Sequence, residues 1–268
     1  MPELPDLENF KQYFKSTSLH KKIEDIKSTD RSLIYGAVFD DFKEELEGKS
    51  FADVSRRGKF LVAEVENSKK NVVFHFGMTG RLLYTKTEGD RDEEGSEDFA
   101  QVEFIFENGY ELRWINNRKF GRIYLVENID EIELLREMGP EPLELSEEEF
   151  LALFEGHTNK NTKSFLMDQR DIAGIGNVFS DEILFRVGIN PKHKIKELDL
   201  DIRKYIYKNM RDVLSEAIEV GPPDEDFNTS WLVSHRHTDM LCPNDSSHKL
   251  VKEMVSGREA IYCPVCQK

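Results

Sequence analysis

The sequence predicts an α+β protein that is mainly β in its first half, helical in its second, and closed by a short metal-clamped hairpin. Three observations carry this. Glycine-punctuated runs of β-forming residues lie between Ser50 and Val126, helical periodicity follows a Gly-Pro-Glu-Pro break at 139–142, and the three cysteines all fall in the last 27 residues. At 268 residues, 38% hydrophobic and 10% aromatic, the chain can bury a real core and is long enough to divide into domains.

Taken in order, a helix is expected near Asp6–Phe14. The runs Lys59–Val65 and Val72–Phe76, set between Gly58, Gly77 and Gly80, read as antiparallel strands. The pattern repeats from Phe99 to Val126, where Asn108-Gly109 marks a hairpin turn between Phe104-Ile105-Phe106 and Glu111-Leu112-Arg113-Trp114. After Gly139-Pro140-Glu141-Pro142, Ser146 and Glu149 form a capping-box signal for a helix running to Phe154. Helical spacing continues through Phe165-Leu166-Met167, Ile183-Leu184-Phe185 and Ile202–Ile218, interrupted by Ala173–Asn177 and Asn190-Pro191. The expected domains are 1–138, 143–225 and 235–268.

The net charge of −15 argues at first sight against a nucleic-acid partner, because duplex binding draws most of its affinity from basic side chains that displace counterions. Two segments hold all of it: residues 88–98 carry seven acids and one arginine, and residues 127–149 carry ten acids and one arginine, which gives −6 and −9. The rest of the chain balances 35 acids against 35 bases, and its bases gather at Arg56-Arg57-Gly58-Lys59, Arg118–Arg122 and Lys192–Lys196. A locally basic surface therefore remains available. The acidic, glycine-containing stretch from Thr87 to Asp98 suits a loop. No run reaches the eighteen apolar residues of a membrane span, and the first residues lack the blocks of a signal peptide, so a cytoplasmic location is expected.

An odd number of clustered cysteines does not make a disulfide framework. Cys242, His248, Cys263 and Cys266 give the spacing C-x5-H-x14-C-x2-C, a tetrahedral set suited to one structural zinc ion. His237 is the competing fourth ligand. Leu250–Val255 and Glu259–Tyr262 read as strands joined at Ser256-Gly257-Arg258. A hairpin this small cannot fold on its own burial, and zinc binding, worth about 10–16 kcal/mol in comparable peptides, would supply its stability.

Several motifs then converge. Met1-Pro2-Glu3-Leu4-Pro5, Arg56-Arg57-Gly58-Lys59-Phe60, His75-Phe76-Gly77-Met78-Thr79-Gly80-Arg81, Asp168-Gln169 leading to Ala173-Gly174-Ile175-Gly176-Asn177, and Gly257-Arg258 before Cys-Pro-x-Cys-Gln resemble formamidopyrimidine-DNA glycosylases, in the same order over nearly the whole chain. The resemblance implies an N-terminal β-sandwich with flanking helices, a helix-two-turn-helix domain and a zinc-bound β-hairpin. It further implies a repair enzyme on damaged double-stranded DNA that excises oxidised purines and then cleaves the strand as an AP lyase; a monomer is the default expectation.

By that resemblance Pro2, freed when Met1 is removed, is the nucleophile, with Glu3 and Lys59 completing the catalytic set. The chemistry suits Pro2: an α-amine titrates near pH 8 against about 10.4 for lysine, so more of it is unprotonated at neutral pH. A secondary amine can attack the sugar C1′ and remain as an iminium ion. Glu3 would meet the positive character that develops at C1′. Lys59, Asn177 and Arg258 match residues that grip phosphates around the lesion. Met78, Arg118 and Phe120 match side chains that fill the gap left by an extruded base, although a methionine and a phenylalanine beside sheet segments are more often core. His75 is expected to be structural.

Three departures from the family pattern stand out: the first leaves function intact if the hairpin closes, the second bears on the void-filling loop, and the third bears on the substrate. Most relatives carry four cysteines where this chain has His248, Asn116-Asn117 stands where Asp-Pro is usual, and residues 220–234 are fewer than in the segment that folds over a flipped 8-oxoguanine. Ring-opened formamidopyrimidines are the expected lesions. 8-Oxoguanine, oxidised pyrimidines as in the endonuclease VIII branch, and a catalytically silent damage-binding protein stay open. A metal-dependent nuclease is disfavoured because the ordered segments hold no acids at metal-ligand spacing.

Overall fold

The computed structural model describes residues 1–87, 99–221, 227–236 and 240–268. The first acidic segment, part of the shortened 220–234 stretch and His237 lie outside the described residues. The chain falls into two compact units, one of Met1–Pro2 with Leu7–Glu137, the other of Glu3–Asp6 with Met138–Lys268.

The first unit begins with α1 (Leu4–Ser18), which starts earlier and ends later than the Asp6–Phe14 pattern. Residues 19–50, which the sequence left unassigned, form β1 (Ile23–Ser28), β2 (Ile34–Tyr35) and α2 (Phe39–Leu46). Then follow β3 (Phe51–Arg57), β4 (Phe60–Val65), β5 (Asn71–His75), β6 (Arg81–Lys86), β7 (Ala100–Phe106), β8 (Tyr110–Ile115), β9 (Arg122–Val126) and the short α3 (Glu133–Arg136).

Two sheets result, ordered β2-β9-β5-β4-β3 and β1-β7-β8-β6, antiparallel throughout except for β2 beside β9. Their inner faces share one core. Phe51 on β3 and Phe74 on β5 meet Phe104 on β7 with ring centroids 5.6 and 5.9 Å apart, and Phe14 of α1 packs edge-on to Phe51 at 5.1 Å. All four rings are fully buried, each contributing on the order of 2–3 kcal/mol by area. The sheets are thus a sandwich. Gly109 supplies the positive φ of 78° that the Asn108-Gly109 turn requires. On β8 strict alternation fails: Glu111 and Arg113, on the face opposite Leu112 and Trp114, are buried too, and they are tolerated because they pair with each other.

The second unit carries α4 (Glu147–Leu153), α5 (Thr162–Met167), α6 (Asn177–Val187) and α7 (Leu200–Val220). Each start has a local cause. Ser146 and Glu149 close a reciprocal capping box on α4, Asn161 Oδ1 accepts from Ser164 N on α5, and Asp199 Oδ1 accepts from Ile202 N on α7. Phe150, Phe154, Phe165, Ile183, Leu184, Met210 and Leu214 form their shared core.

The chain closes with β10 (Leu241–Cys242), β11 (Asp245–Lys249), β12 (Val251–Val255) and β13 (Arg258–Tyr262), so Arg258 opens a strand instead of lying within the turn. Leu232, Leu250 and Ile261 pack with Phe185 of α6, which seats the hairpin on the helices. No helix among the described residues is long and apolar enough to cross a membrane.

Candidate active site and metal centre

Helix α6 starts without a side-chain cap of its own, because its N-cap is Gly176. Its free N–H groups go to the other end of the sequence. The Glu3 carboxylate accepts from Gly176 N at 2.7 Å, Val178 N at 2.8 Å and Phe179 N at 3.2 Å. The helix end offers both donors and the positive end of its dipole, so a carboxylate is the matching group. Glu3 is only 2% exposed, and Leu4 N adds a bond of 2.9 Å to Gly174 O.

Glycine is required for this approach. A Cβ on Gly176 would lie 2.5 Å from Glu3 Cδ and Oε1, and one on Gly174, which has a φ of 82°, would lie 2.8 Å from Leu4 Cβ. Gln169 holds the turn between, accepting from Gly174 N at 2.9 Å and donating to Ile175 O at 2.8 Å. Half-buried Pro2 is joined to Glu3 by a single peptide bond, so its nitrogen stays within a few ångströms of a fixed residue.

Asn177 is the first residue of α6, and its buried Oδ1 has no hydrogen-bond partner in the protein. Beside the hairpin tip a recess of about 190 Å³ is lined by Lys163, Ser164, Met167, Asp168, Val255, Ser256 and exposed Arg258.

In the first unit Gly58-Lys59 is the two-residue turn between β3 and β4, and Lys59 is 8% exposed. Burial, then the nearby charges of Lys59 and Arg122, hold His75 down at about 4, so its imidazole is neutral at pH 7. Met78 and Phe120 are 43% and 57% exposed, so neither is a core residue. Arg118 Nη1 lies 3.9 Å from Met78 Sδ. The two loops meet backbone to backbone, since a Cβ on Gly77 would come within 2.5 Å of Gly121 N.

The ligand atoms of Cys242, His248, Cys263 and Cys266 all lie within 4.8 Å of one another. A tetrahedral ion with bonds of about 2.3 Å to sulfur and 2.0–2.1 Å to nitrogen has S–S and S–N edges of about 3.8 and 3.6 Å. The observed Cys242 Sγ to Cys266 Sγ and Cys266 Sγ to His248 Nδ1 separations are 3.7 and 3.6 Å. The four residues therefore fit a metal ion bound through Nδ1, and Asp245 Oδ2 stands 3.6 Å from the other ring nitrogen, where a ligand-orienting carboxylate belongs. Gln267, which accepts from Cys263 N at 2.8 Å and donates to Ile189 O at 3.0 Å, ties the knuckle to the helical core.

Lys163, Asp181 and Arg236 were not singled out from sequence, yet they form a buried ionic group in the second unit. An acid inside the apolar run Val178–Phe185 was the available signal.

The chain thus carries, in order, a β-sandwich, a helical domain and a Cys/His-clamped hairpin. The N-terminal domain model of formamidopyrimidine-DNA glycosylase matches residues 1–123, and the H2TH domain model of the same enzyme matches residues 138–227. The chain belongs to the formamidopyrimidine-DNA glycosylase family. It is 32% identical to the formamidopyrimidine-DNA glycosylase of Pelotomaculum thermopropionicum over 100% of this chain and 99% of that one, and 31% identical to that of Protochlamydia amoebophila over the full length of both. Among solved structures it resembles the wild-type Lactococcus lactis enzyme bound to DNA containing N7-benzyl-Fapy-dG, with a TM-score of 0.85, 26% identity and full coverage of both chains. The same enzyme non-covalently bound to DNA containing an AP site gives a TM-score of 0.84 at 25% identity over 99% of each chain.

Proposed function

We propose that this chain is a bifunctional DNA glycosylase and AP lyase of base-excision repair that removes formamidopyrimidines from damaged duplex DNA as a monomer in the cytoplasm. The observation that carries the reading is the Glu3 carboxylate, fixed by three amides of α6 one peptide bond from Pro2.

With Met1 removed, the lone pair of the Pro2 nitrogen attacks C1′. The bond from C1′ to the base breaks, its electron pair leaves with the base, and the base takes up a proton. The amine loses its proton, the C1′–O4′ bond of the sugar breaks with its electron pair and a proton going to O4′, and the nitrogen then shares a double bond with C1′ as an iminium ion. Glu3 supplies negative charge beside C1′ while positive character develops there, and its fixed position means that little reorganisation is needed at that moment. Loss of a C2′ proton then sends electrons into the iminium and expels the 3′ phosphate, cleaving the strand.

Lys59, Asn177 and Arg258 act on the DNA backbone as two cations and an amide whose carbonyl lacks a protein partner. Met78, Arg118 and Phe120, two of them exposed apolar side chains, enter the gap left by the flipped nucleotide. Cys242, His248, Cys263 and Cys266 would hold one zinc ion. With four protein ligands it has no open position, so its contribution is to fold the hairpin that carries Arg258.

The names of the relatives favour formamidopyrimidines over oxidised pyrimidines and over a silent binder. Duplexes bearing a formamidopyrimidine, 8-oxoguanine or an oxidised pyrimidine, incubated with the purified chain without added divalent cation, test this. Release of the formamidopyrimidine with strand cleavage is expected. Binding without release would favour the silent binder, and cleavage only on adding Mg²⁺ a nuclease.

A further inference from the structure

The sharpest unexplained feature of the second unit is a fully buried carboxylate at the crossing of three elements. Asp181, on the second turn of α6, has 0% of its side chain exposed. Its Oδ1 accepts from Lys163 Nζ of α5 at 2.5 Å, and its Oδ2 accepts from Arg236 Nη1 at 2.6 Å and from Ile261 N of β13 at 3.0 Å. Lys163 is itself fully buried and continues the network, donating to Asn177 O and to Ser180 Oγ, both at 3.2 Å.

Two of the proposed DNA-backbone contacts therefore lead back to one group. Asn177 is reached through Lys163, and Ile261 lies three residues beyond Arg258 on the same strand. A second tether supports the register, because Asn161, the cap of α5, donates from Nδ2 to Ser256 Oγ at the hairpin tip at 2.6 Å.

Stability alone does not account for such a group. Burying charges costs several kcal/mol per ion, and well-packed apolar replacements are often neutral or stabilising. The buried charges do balance. Lys163 and Arg236 face Asp181 and, within electrostatic reach of Lys163, Glu3. Burial, helped by the Arg236 charge, holds the Lys163 amine below its ordinary range, and Asp181 and then Glu3 offset only part of this. What the arrangement provides is directionality, in that each oxygen of one carboxylate addresses a different element.

We propose that Asp181 is a positioning residue that holds Asn177 and Arg258 in a fixed relative position, and so sets the affinity of the enzyme for the lesion site. This rests on the reading of Asn177 and Arg258 as phosphate contacts.

The test is a mutant cycle on the full-length, zinc-loaded protein, reading the Kd for a duplex with a single tetrahydrofuran abasic analogue, which cannot be turned over. Asp181→Asn keeps the shape and removes the charge. In the otherwise unaltered chain it should weaken binding about tenfold, as for coupled neighbouring sites. In an Asn177→Ala, Arg258→Ala background it should change Kd less than about twofold, because the groups it positions are gone. A purely structural role gives the same loss in both backgrounds, and that result, or no loss in the first, overturns the proposal. If Asp181→Asn shows no cooperative melting, Arg236→Met, which removes one tether, takes its place with the same criterion. The phosphate-contact reading has its own failure: the Asn177→Ala, Arg258→Ala chain would bind with unaltered affinity and salt dependence, which overturns both claims, whereas additive losses overturn the Asp181 claim alone.

Discussion

Adding one methyl group at Gly176 isolates the docking of Glu3 from every other feature. The backbone there has φ −129° and ψ −152°, which alanine adopts without strain, so only the space is at issue. The new Cβ would stand 2.5 Å from Glu3 Cδ and Oε1, about 1 Å inside van der Waals contact. The side chain has no free end to swing away, since its carboxylate is the part being struck and it holds three amides. Retreat by that distance breaks two of the three bonds, which for a charged acceptor at about 1.5 kcal/mol each costs roughly 3 kcal/mol. Pro2 moves with Glu3, and a misplacement of about 1 Å can lower a chemical step about a hundredfold. Gly176→Ala should therefore lose about 3 kcal/mol in urea denaturation and react about a hundred times more slowly in single-turnover excision. Near-normal stability and rate would show that the contact between Glu3 and α6 neither holds the N-terminus nor serves the reaction.

Removing the metal with a chelator should unfold the terminal hairpin while the helical core persists, because the ion supplies about 10 kcal/mol or more to such modules. Hydrogen exchange of the β12 and β13 amides follows this, and elemental analysis before treatment should give about one zinc per chain. The low pKa of His75, about 4 in the folded chain, means that unfolding takes up a proton between pH 4 and its ordinary 6.5. Its stabilisation is complete above that range and is lost as pH falls through it. Between pH 7 and pH 5 the unaltered chain should lose about 2 kcal/mol more than His75→Gln in urea denaturation. Arg258→Ala should weaken binding about equally across DNA sequences and reduce the slope of log K against log salt by about one, as measured by fluorescence anisotropy.

What was legible in the sequence is what neighbouring residues decide. Ser146 and Glu149 announce α4 because both bonds of the box are made within four residues, and Asn108-Gly109 announces its hairpin because a glycine there relieves a local steric conflict. The zinc set was legible because the ligands come in two short-range pairs. Glu3 on α6 was not legible from pattern, since its bonds span 173 to 176 residues and Gly176 resembles any other glycine. Only the resemblance pointed to it. The Asp181 network escaped for the same reason, its partners lying 18 to 80 residues away, and the Glu111–Arg113 pair escaped because polar residues on a strand read as solvent-facing until their burial is known. Met78 and Phe120 show the converse, apolar side chains in loops whose exposure no periodicity discloses.

The central claim is that the secondary amine of Pro2 bonds covalently to the sugar. Borohydride reduction of the protein during reaction with abasic-site DNA, followed by mass spectrometry of the proteolysed adduct, measures this directly. The account predicts a sugar-derived adduct on a Pro2-initiated peptide from which Met1 is absent. An adduct on a lysine, or full activity in a preparation that keeps Met1, would contradict it.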